Sequence, residues 1–464
     1  MAQDVIVIGG GLAGCEAAWQ AASRGLRVAL YEMRPLRPTP AHQTGDLAEL
    51  VCSNSLGSNL PDRAPGLLKQ ELRRLGSLIL ACADATAVPA GGALAVGREA
   101  FSGAVTRAIA RHPRIEVIRA EVTEIPEEAL TVIASGPLTS DRLAASLARL
   151  CGEPSLYFYD AVAPIVAYES INQEHAFRAT RYDHGDADYV NLPLTRDEYD
   201  AFVAALGSAE MHSLRDFERE DKRFFEACLP VEVLAKRGPL ALAYGPLRPV
   251  GLIDPRTSRR PYAVVQLRQD DRAGSLYNLV GFQTNLTWPE QKRVFGMIPG
   301  LERAEWVRYG QMHRNTFLDA PHLLDATTRF RGRPNLFLGG QIAGTEGYAG
   351  STASGLVAGL NAARSALGQE PLIFPRTTVL GALLAYIAGG ELASGDQGPG
   401  MSGDGFQPMK PNFGLLPPLN PPVRRKRERY AALVARAQRD LDEFLEAHHP
   451  LDGSALNVSI TEEG

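Results

Sequence analysis

A glycine-rich hexapeptide near the N-terminus and a set of single cysteines are the residues of this chain whose types and spacing could do chemistry. Gly9-Gly10-Gly11-Leu12-Ala13-Gly14 contains the pattern G-x-G-x-x-G at Gly9, Gly11 and Gly14. It follows the apolar run Val5-Ile6-Val7-Ile8 and opens an alanine-rich stretch over residues 12–24. In that setting the first glycine permits a tight turn, and the second lets the backbone approach a pyrophosphate. The third lets the helix pack close to the strand. The phosphates then lie at the helix N-terminus, where unpaired N–H groups and the macrodipole favour anions. Glu32 closes a second apolar run, Arg27-Val28-Ala29-Leu30-Tyr31, and its carboxylate can accept hydrogen bonds from a ribose diol. The pattern predicts a strand–turn–helix–strand unit that binds a dinucleotide.

A later segment distinguishes a flavin from a nicotinamide dinucleotide. Asn335-Leu336-Phe337-Leu338-Gly339-Gly340-Gln341 reads as a strand ending in a glycine turn. Gly344, Glu346, Gly347 and a small-residue helix over 350–366 follow. This arrangement can place a second helix N-terminus at a flavin ring or ribityl chain, so FAD is the expected cofactor. The cysteines are Cys15, Cys52, Cys82, Cys151 and Cys228, an odd count with no C-x-x-C pair. A disulfide framework and a zinc site are both excluded, and no metal is expected. A single cysteine is more often a small buried hydrophobe than a reagent, and Cys15, Cys82 and Cys151 read that way. Cys52 differs, because it opens a loop of small polar residues, Cys52-Ser53-Asn54-Ser55-Leu56-Gly57-Ser58-Asn59. Cys228 follows a charged run at 219–223, and neighbouring cations lower a thiol pKa from about 8.5.

These residues need an α/β scaffold. The chain has 464 residues, 45% apolar and 22% charged, which suits a soluble protein of two or three domains. The α/β pattern of residues 1–160 gives way at 161–324 to strands and loops richer in aromatics, His and Arg. It returns over 325–445, with 446–464 as a tail. The expected fold is therefore α/β, a discontinuous Rossmann-like FAD-binding domain (1–160 and 325–445) with an inserted α+β domain (161–324) for substrate or RNA. No apolar run is long enough for a transmembrane helix. The N-terminus enters a strand directly, without a signal peptide, so a cytoplasmic protein is expected. The net charge of −5 gives no general affinity for nucleic acid. A local basic face suffices for RNA, however, and Arg256, Arg259, Arg260, Arg424 and Arg425 are candidates. The plain alternative for the last two is a solvated helix face.

Several segments together resemble one family closely. They are Val7-Ile8-Gly9-Gly10-Gly11-Leu12-Ala13-Gly14, Tyr31-Glu32-Met33-Arg34-Pro35 and Glu49-Leu50-Val51-Cys52-Ser53-Asn54-Ser55. Others are Val88-Pro89-Ala90-Gly91-Gly92, Arg181-Tyr182-Asp183, Gly281-Phe282-Gln283-Thr284, Met312-His313-Arg314-Asn315-Thr316 and Asn412-Phe413-Gly414-Leu415-Leu416. The family is that of the folate- and FAD-dependent tRNA (uracil-5-)-methyltransferases (TrmFO), and the likeness runs to about residue 445. The Cys-Ser-Asn-Ser and Met-His-Arg-Asn-Thr segments carry its specificity; the glycines do not. The related MnmG family has a further C-terminal helical domain for which this chain is too short. The Gly- and Asp-rich stretch at 389–405 departs from the family pattern.

The resemblance implies formation of 5-methyluridine at position 54, in the T-arm of tRNA. Carbon would come from 5,10-methylenetetrahydrofolate and electrons from NAD(P)H, both through FAD. It implies that the Cys228 thiolate adds to uracil C6 and that Cys52, near the flavin, removes the C5 proton. The implied FAD contacts are Gly9, Gly10, Gly11, Leu12, Ala13, Gly14, Glu32, Gly339, Gly340, Gln341, Glu346 and Gly347. Folate candidates are Gln283, Asn285, His313 and Asn315, with Tyr348 as a stacking ring. No membrane partner is expected, and the protein is expected to be a monomer. The alternatives are a flavin oxidoreductase of a small metabolite, MnmG-like wobble-uridine modification, or a non-catalytic tRNA-binding flavoprotein. The first of these leaves Cys52 and Cys228 without a role.

Overall fold

The computed structural model describes residues 3–39, 41–152, 156–161, 163–183, 188–212, 229–271, 273–310, 312–390, 406 and 408–448. For 156–161, 183 and 312–315 it describes the backbone alone. The first unit is β1 (Val5–Ile8), α1 (Leu12–Ser23) and β2 (Val28–Tyr31). Helix α2 (Arg98–Arg111) then leads to β3 (Ile115–Ile118), and β4 (Thr131–Ile133) follows. Strands β1, β2 and β4 are short, apolar and largely buried, as the inside of a parallel sheet requires, while the edge strand β3 exposes Glu116.

The chain next builds a second sheet from β5 (Ile165–Ala167), β6 (Phe177–Arg178), β7 (Tyr189–Leu194), β8 (Ala263–Gln269), β9 (Leu276–Leu279) and β10 (Trp306–Arg308). Its order is β6-β7-β8-β9-β5-β10, antiparallel throughout. Helix α3 (Trp288–Phe295) packs on this layer. The layer has its own core, centred on Tyr199, Phe202, Tyr277, Phe282 and Phe295.

Strand β11 (Leu336–Leu338) then returns to the first sheet beside β4. The order there is β11-β4-β1-β2-β3, all parallel. Beyond it lie α4 (Tyr348–Ala366), α5 (Val379–Ile387) and α6 (Lys426–Ala447). The strand direction of travel reverses at β1, between β2 and β4. Ligands in open α/β sheets bind outside the carboxyl ends of strands at such a switch point.

Helix α4 begins at Tyr348, two residues before the sequence predicts, because Gly347 at φ 81° supplies the turn into it. Helices α1 and α4 touch backbone to backbone. A Cβ on Gly355 would collide with the Ala13 carbonyl, and one on Gly359 with that of Ala17. The four-residue spacing puts both glycines on one helical face. This close approach sets the two helix N-termini side by side. Adding one methyl to that interface forces the helices apart, at about 1–3 kcal/mol. Gly359→Ala is therefore expected to lower the thermal midpoint and the FAD content together, read by a melting scan and by flavin absorbance.

Candidate functional site

A deep cleft opens at the carboxyl ends of β1, β2, β4 and β11. Its walls include Gly9 to Ala13, Glu32, Ser135, Gly340, Gln341 and Tyr348. Helix α1 makes its first backbone bond from Cys15 N to Gly11 O, so the N–H groups of Leu12, Ala13 and Gly14 have no helical acceptor. Helix α4 likewise starts with Ser351 N to Gly347 O. Both N-termini meet the cleft, through Gly11 to Ala13 on one side and Tyr348 and Ser351 on the other.

The glycines of the hexapeptide divide by what a side chain would meet. At Gly14 a Cβ would run into the Gly9 carbonyl, so this residue is demanded by the fold. At Gly11 a Cβ would meet nothing within 4 Å. Gly11 has an ordinary extended backbone, φ −77°. The empty space beside it fits the pyrophosphate of a dinucleotide, and a side chain there would fill it. Gly11→Val is expected to lose FAD while matching the wild type in the melting midpoint of the FAD-free protein. Gly14→Ala is expected to lower the midpoint itself. Flavin absorbance alongside a melting scan separates the two.

Glu32 is 6% exposed and fully engaged. One oxygen accepts from Gly10 N at 3.0 Å, and the other from Arg34 N at 2.9 Å. The Arg34 guanidinium bonds both oxygens and also reaches Glu49 at 3.2 Å. Glu32 thus couples the glycine turn to the loop after β2 while lining the cleft. On the far wall, Gly340 N donates to Ser354 Oγ at 2.8 Å, and Thr345 Oγ1 donates to the Gly340 carbonyl at 2.9 Å. Gln341 Nε2 donates to Glu346 Oε2 at 3.0 Å, which fixes the 340–346 turn. Glu346 is buried and lies 3.9 Å from Lys410.

Cys52 sits beside this cleft on a loop gripped at every residue from Leu50 to Asn54. Its amide donates to the Tyr348 hydroxyl at 2.9 Å, and Tyr348 lines the cleft. Arg98 donates to the carbonyls of Leu50 at 2.6 Å and Cys52 at 2.9 Å. Arg308 reaches the Val51 carbonyl at 3.3 Å. Arg268 donates to Ser53 Oγ at 3.1 Å and to Asn54 Oδ1 at 2.9 Å. Asn54, wholly buried, also accepts from Asn278 and donates to the carbonyls of Val96 and Gln269. That exhausts the capacity of a primary amide. Asp270 closes the network against Arg98 at 2.8 Å and Asn278 at 2.9 Å. Burial opposes the charge on Arg98, but Asp270, Tyr348 and Cys52 together hold its pKa above the usual value. For Arg268 burial wins and lowers the pKa, although Tyr189, Asp270 and Cys52 oppose it. Both guanidiniums therefore lie within electrostatic reach of the Cys52 side chain.

The other described thiols have opposite surroundings. Burial pushes Cys82 up to about 12 and Cys151 up to about 11, and raises Cys15 further still. All three stay protonated, as hydrophobes do. Cys228 lies outside the described residues.

The remaining expected site residues are dispersed. Asn285 donates from its backbone to Glu232 at 2.7 Å and from its side chain to the His212 carbonyl, and Gln283 accepts from Val231 N through its backbone. Neither lines the cleft. His313 and Asn315 lie on a strand, Met312–Phe317, paired to Leu156–Ala161; their side chains fall outside the described residues. Arg256 is committed to Asp254 at 2.8 Å, whereas Arg259, Arg260, Arg424 and Arg425 are exposed. Sequence reasoning missed the cleft wall at Ala120, Val122, Thr139 and Leu143, which acts by shape and has no chemical signature. It also missed Arg98, Arg268, Asp270 and Arg308. An arginine at the first position of α2, where the helix dipole disfavours a cation, was the one legible sign.

The family model described as Glucose inhibited division protein A matches residues 4–370. The chain is 58% identical over 442 residues to the methylenetetrahydrofolate–tRNA-(uracil-5-)-methyltransferase TrmFO of Desulforudis audaxviator, covering 95% of this chain and 97% of that protein. To the protein of the same description from Gloeobacter violaceus it is 57% identical over 448 residues, covering 97% of each. Among solved structures, Aquifex aeolicus GidA superposes with a TM-score of 0.67 at 16% identity, covering 97% of this chain and 74% of that one. At that identity the likeness concerns the fold alone.

Proposed function

Because the chain belongs to the TrmFO family of methylenetetrahydrofolate–tRNA-(uracil-5-)-methyltransferases, we propose that it moves a one-carbon unit from 5,10-methylenetetrahydrofolate to C5 of a tRNA uridine, with FAD in the cleft and NAD(P)H as reductant. The observation that carries this reading is the bond from the Cys52 amide to the Tyr348 hydroxyl. It ties a thiol-bearing loop to a ring that borders both helix N-termini of a dinucleotide cleft. The target is the T-arm uridine at position 54, and the reaction is cytoplasmic, where tRNA is found. The cofactor unit comprises 1–160 and 325–445, the substrate unit 161–324, and 446–464 is a tail.

FAD, when bound, supplies the carrier for the carbon unit and the electrons that reduce it. The protein supplies position and proton transfer. Gly9 to Gly14 and the start of α4 hold the anionic dinucleotide through backbone N–H groups. Glu32 receives a ribose hydroxyl by giving up one of its Arg34 side-chain bonds, while Gly10 and the Arg34 amide keep it oriented. Tyr348 presents a flat face for flavin or pterin. Cys228 adds to uracil C6, which makes C5 a carbon nucleophile. Cys52 removes the C5 proton once C5 has gained its carbon, and departure of the Cys228 sulfur restores the ring. Arg98 and Arg268 act as positioning residues, holding the loop that carries Cys52. Exposing the base to this site costs a few kcal/mol, offset by contacts in the pocket. The exposed Arg259, Arg260, Arg424 and Arg425 supply phosphate contacts, so binding weakens with salt.

Incubating the protein with labelled methylenetetrahydrofolate, FAD, NADH and unmodified tRNA is expected to place label in 5-methyluridine. Label that never enters RNA rejects the reading. Cys228→Ala is expected to keep FAD and lose the covalent adduct with 5-fluorouridine tRNA; an adduct that persists removes Cys228 from its role. Asn54→Ala leaves Arg268 and Asn278 short of an acceptor and loosens the loop. In a Cys228→Ala background it is expected to slow alkylation of Cys52 several-fold, as the thiol leaves its guanidinium neighbours. FAD content, read by absorbance, should stay unchanged.

A further inference from the structure

The edge of the inserted sheet carries an aromatic ladder that the reaction described above does not use. Trp288 opens α3, Trp306 lies in the edge strand β10, and Tyr309 follows that strand. Tyr309 stacks on both indoles. Its plane is 14° from that of Trp288 with ring centres 5.6 Å apart, and 18° from that of Trp306 with centres 6.3 Å apart. These are offset face-to-face contacts. Other aromatic pairs of the same unit are tilted or edge-on, from 32° for Tyr168 and Tyr277 to 77° for Phe282 and Phe295. One end of the ladder is anchored, since Trp306 rests on Phe295, which is fully buried. The other end is open, since Trp288 is 55% exposed.

The ladder is tied to the loop that bears Cys52 and to the end of the helix region before residue 213. Arg308, between Trp306 and Tyr309 in the chain, bonds the carbonyls of Ala41 and Val51, the latter adjacent to Cys52. On the other side, the residues just before Trp288 pair with Glu210 to His212. His212 N donates to Asn285 O at 2.9 Å, and Thr287 N donates to Glu210 O at 3.1 Å. Lys292, one turn beyond Trp288 on α3, is exposed and adds positive charge to that face.

We propose that Trp288 is a stacking plate for an unstacked tRNA base neighbouring the target uridine. This rests on the tRNA reading above. Parallel rings with an open terminal face match a nucleobase, because a base continues the stack with its own flat face. RNA-binding proteins hold splayed single-stranded bases on aromatic side chains in this manner. Removing a base from the folded tRNA elbow breaks its stacking, and its neighbour must be held apart. The plate receives that neighbour, while backbone phosphate lies toward Lys292.

The test uses the FAD-loaded full-length protein and an unmodified tRNA transcript. Trp288→Ala is expected to weaken the tRNA Kd about tenfold, the loss typical of one stacked base. KM for tRNA should rise with it and kcat change little. Trp288→Phe retains a flat ring and is expected to recover most of the affinity. FAD content checks that both variants fold. Unchanged tRNA affinity in Trp288→Ala overturns the proposal, as does equal weakness of Trp288→Phe and Trp288→Ala. A changed sedimentation mass with unchanged tRNA affinity also overturns it and assigns the plate to a second copy of the chain. A wild-type protein that transfers no labelled carbon, yet loses tRNA affinity on Trp288→Ala, refutes the enzymatic reading and leaves the plate standing.

Discussion

Arg98 and Asp270 belong to different layers of the molecule, and their contact at 2.8 Å takes place out of water. Arg98 starts a helix of the parallel-sheet unit, and Asp270 follows a strand of the antiparallel one. A buried ion pair gains little net stability over a well-packed apolar contact, but breaking one by removing a partner costs about 3–5 kcal/mol. Such a pair therefore specifies one docking arrangement more than it strengthens it. Here the specification extends beyond the pair. Asp270 also holds Asn278, Asn278 holds Asn54, and Arg268 bonds Asn54 and Ser53. The loop that carries Cys52 lies inside this network and is placed by it.

A second constraint operates on the cofactor side. The absence of side chains at Gly355 and Gly359 lets α4 rest on the backbone of α1. Two helix N-termini then open on one cleft, so two sets of N–H donors face the space it encloses. Tyr348 stands at the start of α4 and bonds the Cys52 amide. The glycine contact and the arginine network therefore meet at one hydrogen bond. Cofactor position and thiol position are fixed by the same few residues.

The sequence carried the cofactor half of this arrangement because its physics is local. A glycine turn between a strand and a helix has a fixed spacing, and Glu32 closes the next strand at a fixed distance. The strand at Leu336–Leu338 was readable for the same reason, even though it joins its sheet from far along the chain. The thiol half was less readable. Cys52 stood out by its polar neighbours, but Arg98, Arg268, Asp270 and Asn278 are ordinary residues in their own segments. Their meaning comes from contacts across more than 170 residues. Asn285 illustrates the reverse. Its polar type suggested a ligand, while its side-chain amide bonds the His212 carbonyl and its backbone N–H the Glu232 carboxylate. The cleft wall at Ala120 and Leu143 was silent because shape leaves no signature in residue type.

The placement of Cys52 has a kinetic consequence that follows from where its restraints originate. A loop rich in Ser, Asn and Gly has many local turns open to it and little apolar area to hold it. Its position is therefore borrowed. Arg98 and Tyr348 supply it from the cofactor side, Arg268 and Arg308 from the inserted sheet. Only when both units are docked are all four restraints present and the loop held in one geometry. In its proposed role as base, Cys52 depends on that simultaneity, because proton transfer needs close placement. The buried charges between the two layers thus serve the reaction directly: they make an adaptable loop behave as a rigid part of the site, without requiring the loop itself to be rigid.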